Sequence, residues 1–146
     1  MLGAVVKTQR GFTIVEAMVV VTIIAILAAF VVPSFQGSVI RSKVRKTADL
    51  ISDVIVMSQS EALRRNIKIY VTVVAGDVCI GSALAGCDIR REPLISGVSV
   101  SDPNLVLSPF YGAPSPAPAT FTISYSGVTQ TVSINRLGIV TVERTP

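Results

Sequence analysis

No histidine occurs anywhere in the 146 residues. Its absence removes Ser-His and Cys-His nucleophile pairs, H-E-x-x-H zinc chemistry and the commonest general base together. The nine acidic residues are scattered, and Gly76, Gly81 and Gly86 form no phosphate-binding loop. No metal or cofactor is implied, and an enzyme is the weakest reading of the chain. Cysteine is scarce too: Cys79 and Cys87 stand eight positions apart in a Gly-rich stretch, without C-x-x-C spacing. That separation suits a small loop closed by one disulfide in an oxidising compartment, two free thiols being the alternative. Charge is sparse, with a net value of only +4, so a nucleic-acid footprint is not demanded. At this length one domain is the ceiling, and a hydrophobic content of 50% leaves a real core once any membrane segment is subtracted.

What the chain does have is one long apolar run. Residues 12 to 32, FTIVEAMVVVTIIAILAAFVV, carry a single charge, Glu16. As a helix the run is about 30 Å long, the thickness of a bilayer's hydrocarbon core. Lys7 and Arg10 precede it, which puts the amino terminus in the cytoplasm and the remainder outside. Arg41, Lys43, Arg45 and Lys46 would favour the opposite orientation, but Arg41 falls roughly 13 Å beyond the run on a continuous helix. A cleavable signal peptide ending near Ala28 and Ala29 is the bland alternative. Against it stand the length of the run, Leu27 in place of a small residue, and Glu16. A carboxylate inside an apolar helix costs about 2.5 to 3.5 kcal/mol on insertion scales, which marks it as functional unless it snorkels to the interface.

The segment Arg10-Gly11-Phe12-Thr13-Ile14-Val15-Glu16, followed by the long run ending in Pro33, resembles the prepilin peptidase site of type IV prepilins and pseudopilins. The resemblance implies cleavage between Gly11 and Phe12 on the cytoplasmic side and N-methylation of Phe12, both by a separate membrane peptidase. Residues 1–11 are then a leader, 12–33 a transmembrane and filament-core helix, 34–66 its amphipathic second half, and 67–146 a β-rich head. In a bundle of such helices the Glu16 carboxylate can pair with the new α-amino group of Phe12 on a neighbouring subunit. A buried pair of that kind reports correct axial register, because either partner alone is costly. Pro33 removes a backbone donor and is expected to bend or locally melt the helix.

From Ser38 to Arg65 the residues Ile40, Val44, Ala48, Ile51, Ile55, Ser58 and Ala62 recur every three or four positions, the pattern of a helix with one face on a sheet. Arg41, Arg45, Lys46, Asp49 and Asp53 mark the opposite face, solvated or subunit-facing. Asn66 suits the left-handed residue that ends helices. Strands are expected over 67–73, 94–100, 119–125, 128–134 and 139–142, with Ser126-Gly127 as a hairpin turn. The Pro-rich stretch 108–118 reads as a loop, either a spacer or a recognition element exposing Phe110 and Tyr111. The fold class is therefore α+β, a long N-terminal helix packed on a C-terminal antiparallel sheet.

Ser58-Gln59-Ser60-Glu61-Ala62-Leu63-Arg64-Arg65-Asn66 is similar to a segment of GspH/FimT-type minor pilins, and Asn135-Arg136-Leu137-Gly138-Ile139-Val140 resembles their carboxy-terminal signature, with Ile139 where an Arg is common. Residues 75–118 have no counterpart. The resemblance implies a minor subunit of the bacterial inner membrane, head in the periplasm, that helps initiate or tip a type IV pilus. Its partners would be other pilins or pseudopilins, the prepilin peptidase and membrane lipid. A minor pseudopilin of a type II secretion system needs the same spine and stays open. A pilus-tip DNA receptor has only Arg136 and Arg144 near the carboxy terminus to offer, few phosphate contacts. Arg64, Arg65, Lys68, Arg90 and Arg91 would form a basic patch only if they met in space.

Overall fold

The computed structural model describes residues 11–101 and 103–143, without the side chains of residues 30–34. The expected leader, with Lys7 and Arg10, and the carboxy-terminal Arg144 lie outside the described residues. The chain divides into two compact units, Met1–Gly37 and Ser38–Pro146. Helix α1, Ile14–Arg65, begins in the first and ends in the second. Its backbone remains helical through Pro33 and Gly37, so no melted turn interrupts it there.

In the second unit the periodicity of α1 is realised as burial. Val44, Ala48, Ile51, Ile55 and Ala62 are almost wholly removed from solvent, and so are the hydroxyl-bearing Thr47 and Ser58. Those two hydroxyls bond back to the carbonyls of Lys43 and Val54, four residues earlier, which removes the cost of burying them. The helix ends where Asn66 takes a φ of 53°, the left-handed conformation that Asn tolerates.

Among the described residues nine strands follow and form two antiparallel sheets, where the sequence suggested one. The first contains β1 (Ile69–Val74), β2 (Asp77–Gly81), β3 (Arg90–Pro93), β5 (Leu105–Leu107) and β6 (Pro114–Ser115), in the order β3-β2-β1-β5-β6. The second contains β4 (Ser99–Val100), β7 (Ala119–Tyr125), β8 (Val128–Ile134) and β9 (Val140–Glu143), in the order β4-β7-β8-β9. Strands β7 and β8 have the expected limits, and the Ser126-Gly127 turn between them places both residues at positive φ, as a two-residue hairpin requires. Alternate residues Ala119, Phe121 and Ile123 from β7, Val132 and Ile134 from β8, and Ile69, Val71, Leu105 and Leu107 from the first sheet join the buried face of α1 in one core.

The middle of the head corrects the sequence reading. The strand expected over 94–100 shrinks to Ser99–Val100, because Gly97 at φ 85° makes a turn there, closed by Val98 N–H donating to Ile95 O at 3.1 Å. Strands β2, β3 and β5 were not expected at all. The Pro-rich stretch contains β6, whose Ser115 and Pro114 stand opposite Val106 and Leu107. A proline still offers its carbonyl, and β6 is an edge strand, where prolines are tolerated.

Candidate functional site

In the first unit the helix is started by Thr13. Its Oγ1 accepts the Glu16 backbone N–H at 3.2 Å, and its carbonyl accepts Ala17 N–H at 3.1 Å. Thr13 and Glu16 thus have the spacing of a capping box, with Glu16 in the first turn, where the helix dipole favours a negative charge. Gly11 and Phe12 precede the cap as exposed, non-helical backbone. Phe12 is 73% exposed. The sequence reading missed Thr13, although T-x-x-E ahead of an apolar run is the signature of a helix start.

Ile14, Val15, Met18, Val21, Ile24 and Leu27 are all exposed, and these positions cover every side of the helix. A helix apolar all round has no polar face to turn to water and demands apolar neighbours. Thr22, inside the helical part of the run, donates to Met18 O at 2.7 Å, so it needs no partner outside the helix. The span expected over 12–33 reaches into residues whose side chains are outside the description; among the described residues no helix is long and apolar enough to cross a membrane. The Pro33 side chain is among those outside it.

In the second unit, Cys79 and Cys87 are joined by a disulfide with a Cα–Cα separation of 4.7 Å. The loop between them closes tightly over β2. A Cβ on buried Gly81 would lie 2.3 Å from the Gly86 carbonyl oxygen. Asp88 clasps the loop's other end, its two carboxylate oxygens accepting the Ser82 N–H and the Ser82 hydroxyl, each at 2.9 Å. Those bonds, the backbone one foremost, hold the Asp88 carboxyl below its ordinary pKa.

The two segments singled out near the ends of the head meet. Gln59 Nε2 donates to Gly138 O at 2.7 Å. The turn it holds is built by Asn135, whose Oδ1 accepts Leu137 N–H at 2.9 Å and Ile139 N–H at 3.0 Å. Gly138 sits at φ 79° and a Cβ there would come within 2.8 Å of Gln59 Nε2, which explains a glycine at this position. Gln59 and its partner were not recognised from sequence as a contact. Phe110 and Tyr111 are 76% and 92% exposed.

Arg64, Arg65, Arg90 and Arg91 each have a carboxylate partner. Arg64 and Arg65 both grip Glu61 at 2.6 Å, Arg90 pairs with Glu92, and Arg91 approaches Asp77 at 3.5 Å. Arg136 is exposed on the turn beside Gly138, and Arg144 is outside the described residues. Among the described residues no group of three or more His, Cys, Asp or Glu side chains could hold a metal ion.

Residues 6–32 match the prokaryotic N-terminal methylation motif. The chain resembles the crystal structure of the type IV minor pilin FimU from Pseudomonas aeruginosa PAO1, with a TM-score of 0.60 over 71% of this chain and 90% of that one at 17% identity. The fold is that of a type IV pilin. A fimbrial protein of Pseudomonas aeruginosa is 39% identical over 57 residues, 39% of this chain and 37% of that protein. The type IV major fimbrial protein FimA of Dichelobacter nodosus is 50% identical over 38 residues, 26% of this chain and 24% of that protein. The matched stretches therefore span well under half the length of these curated relatives. A methylation motif joined to a pilin fold describes a structural subunit, not an enzyme.

Proposed function

We propose that this type IV pilin-like chain is a minor pilin of the GspH/FimT type that helps to initiate or tip a pilus after its leader is removed. The observation that carries the proposal is the segment 14–29. It is helical, apolar on every side and exposed, and it lies within the stretch 6–32 that matches the methylation motif. Such a segment needs lipid before assembly and other apolar helices after it. The prepilin peptidase would cut after Gly11 and methylate the amine of Phe12. Glu16 would then pair with the Phe12 amine of a neighbouring subunit, and Pro33 would let the helix bend between the membrane-spanning part and the head. The inner membrane, with the head in the periplasm, and later the pilus are the locations this cycle requires.

Intact mass and amino-terminal sequencing of protein from native membranes test the proposal. A chain beginning at N-methyl-Phe12 is expected, whereas one beginning near residue 30 would mean an exported domain and overturn it. In the same host, Glu16→Ala is expected to leave membrane insertion intact and to reduce recovery of the protein in sheared filaments. Unimpaired recovery would remove the pairing role of Glu16.

A further inference from the structure

Each sheet has two edges, and among the described residues the four edge strands are β3, β6, β4 and β9. An open edge is a row of unmet backbone groups that invites another strand, and proteins close it with prolines, inward-pointing charges or shortness. Strand β3 is Arg90-Arg91-Glu92-Pro93, and its Arg90 and Glu92 turn inward, where they line a groove with Leu50, Val54 and Met57 of α1. Strand β6 has two residues, Pro114-Ser115, and Pro116 follows it. Strand β4 also has two, Ser99 and Val100. None of these devices guards β9. Its residues Val140-Thr141-Val142-Glu143 include three β-branched side chains and no proline, a composition that suits a strand with neighbours on both sides.

The backbone of β9 carries its open groups at two residues. Asn135 N–H donates to Ile139 O at 3.1 Å, which makes these two a hydrogen-bonded pair at the mouth of the β8–β9 hairpin. Such pairs alternate with non-bonded ones along an antiparallel ladder. Thr141 and Glu143 therefore turn their amides toward Ser133 and Thr131 of β8, while Val140 and Val142 turn theirs away from it. The side chains match an unfinished edge. Val140 and Val142 pack against the core yet are only half-buried, and Thr141 and Glu143 are exposed on the other face. Glu143 belongs to no ion pair among the described residues, where the paired carboxylates are Glu61, Asp77 and Glu92.

We propose that β9 receives an extended segment of another protein as an added antiparallel strand. The chemistry of that segment follows from the edge: apolar β-branched residues opposite Val140 and Val142, a hydroxyl residue opposite Thr141 and a basic residue opposite Glu143. A second copy of this chain does not meet these demands. Antiparallel pairing of β9 with β9 turns the copy's α1 end for end, which one shared membrane orientation forbids; this step rests on the pilin reading. Parallel pairing turns the copy's sheet over, so that its Thr141 and Glu143 fall where the apolar face has to continue.

The test uses full-length, isotope-labelled protein in mild detergent and the synthetic peptide KVTVT, blocked at both ends. Titration is expected to shift the amide resonances of Val140 and Val142 saturably. With peptide at about nine times its Kd only about a tenth of the edges stay free, so solvent exchange of those two amides should slow about tenfold. Thr141, already bonded to β8, should change far less. Val142→Pro removes one outward donor, leaves the β8 bonds in place and should abolish binding. Glu143→Lys should weaken binding about twofold to fivefold, and the peptide EVTVT should restore it. No saturable shift up to millimolar peptide overturns the proposal, and so does equal binding by the Val142→Pro protein or no restoration by EVTVT. Protection of the Val140 and Val142 amides before peptide is added also overturns it, since the edge is then already closed. Intact mass of the same chain from native membranes keeps the two levels apart. A start at Phe12 without peptide binding removes the added strand alone, whereas binding by a chain that starts elsewhere removes the pilin reading alone.

Discussion

The two halves of α1 solve opposite problems with the same backbone. Residues 14–29 are apolar on all sides and bury none of those side chains within the chain, while residues 38–65 are apolar on one side and bury that side from Val44 to Ala62. The second half draws its stability from the head. The first half draws none from it, and its exposed Ile, Val and Leu side chains have value only against lipid or another helix. A helix that is finished on its own at one end and unfinished at the other is what a filament subunit requires.

That division predicts which substitutions the folded head will register. Ile51 is fully buried, so Ile51→Ala should cost about 2 to 5 kcal/mol, a large part of the stability of an ordinary domain. Ile24 is 59% exposed, and Ile24→Ala should leave the head's unfolding midpoint where it is. Urea unfolding of full-length protein in mild detergent, followed by near-ultraviolet circular dichroism of Tyr70 and Tyr125, measures both. Equal shifts would abolish the distinction between the halves.

The next effect is confined to the head. The Cys79–Cys87 bond closes a loop of sequence separation 8, for which chain entropy gives about 2 to 3 kcal/mol. Cys79→Ala with Cys87→Ala should lower the midpoint accordingly and leave the behaviour of residues 14–29 in the membrane unchanged. Native protein should show no thiol reactive to maleimide until reductant is added, and full labelling without reductant would refute the bond.

The halves of α1 were legible because periodicity is a local property: the three- and four-residue spacing from Val44 to Ala62 returns as burial, and the apolar run is helical from Ile14. The β7–β8 hairpin was legible for the same reason, with clean alternation on either side of Ser126-Gly127. Strand β2 was not, because Val78, Cys79, Ile80 and Gly81 are all buried. A strand covered on both faces shows no alternation, here because its outer face lies under the disulfide loop. Strands β4 and β6 have two residues each, too few for any period to be seen. The contact of Gln59 with Gly138 spans 79 positions, and nothing local to either residue announces the other. Thr13 was legible and overlooked.

The smallest expected effect again separates the two regions, now through acid. Asp88 and Glu61 both have carboxyl pKa values lowered in the folded head, the first by its bonds to Ser82 and the second by Arg64 and then Arg65. A carboxyl whose folded pKa lies below its unfolded one binds fewer protons in the folded state. It therefore adds stability above the unfolded value, near pH 4, and loses that contribution as pH falls through the folded value. Asp88 is exposed, and so are Arg64 and Arg65, the partners of the half-buried Glu61, so screening keeps the contribution small. The head should thus unfold more readily as the pH drops from about 5 to about 3, and Asp88→Asn combined with Glu61→Gln should flatten that slope. Ser82→Ala should flatten it in part, since the Ser82 backbone N–H, the larger cause for Asp88, remains. Unfolding midpoints of the three proteins across this pH range decide the matter: parallel curves would mean that neither carboxylate contributes to the head's stability, and that the acid response arises elsewhere in the chain.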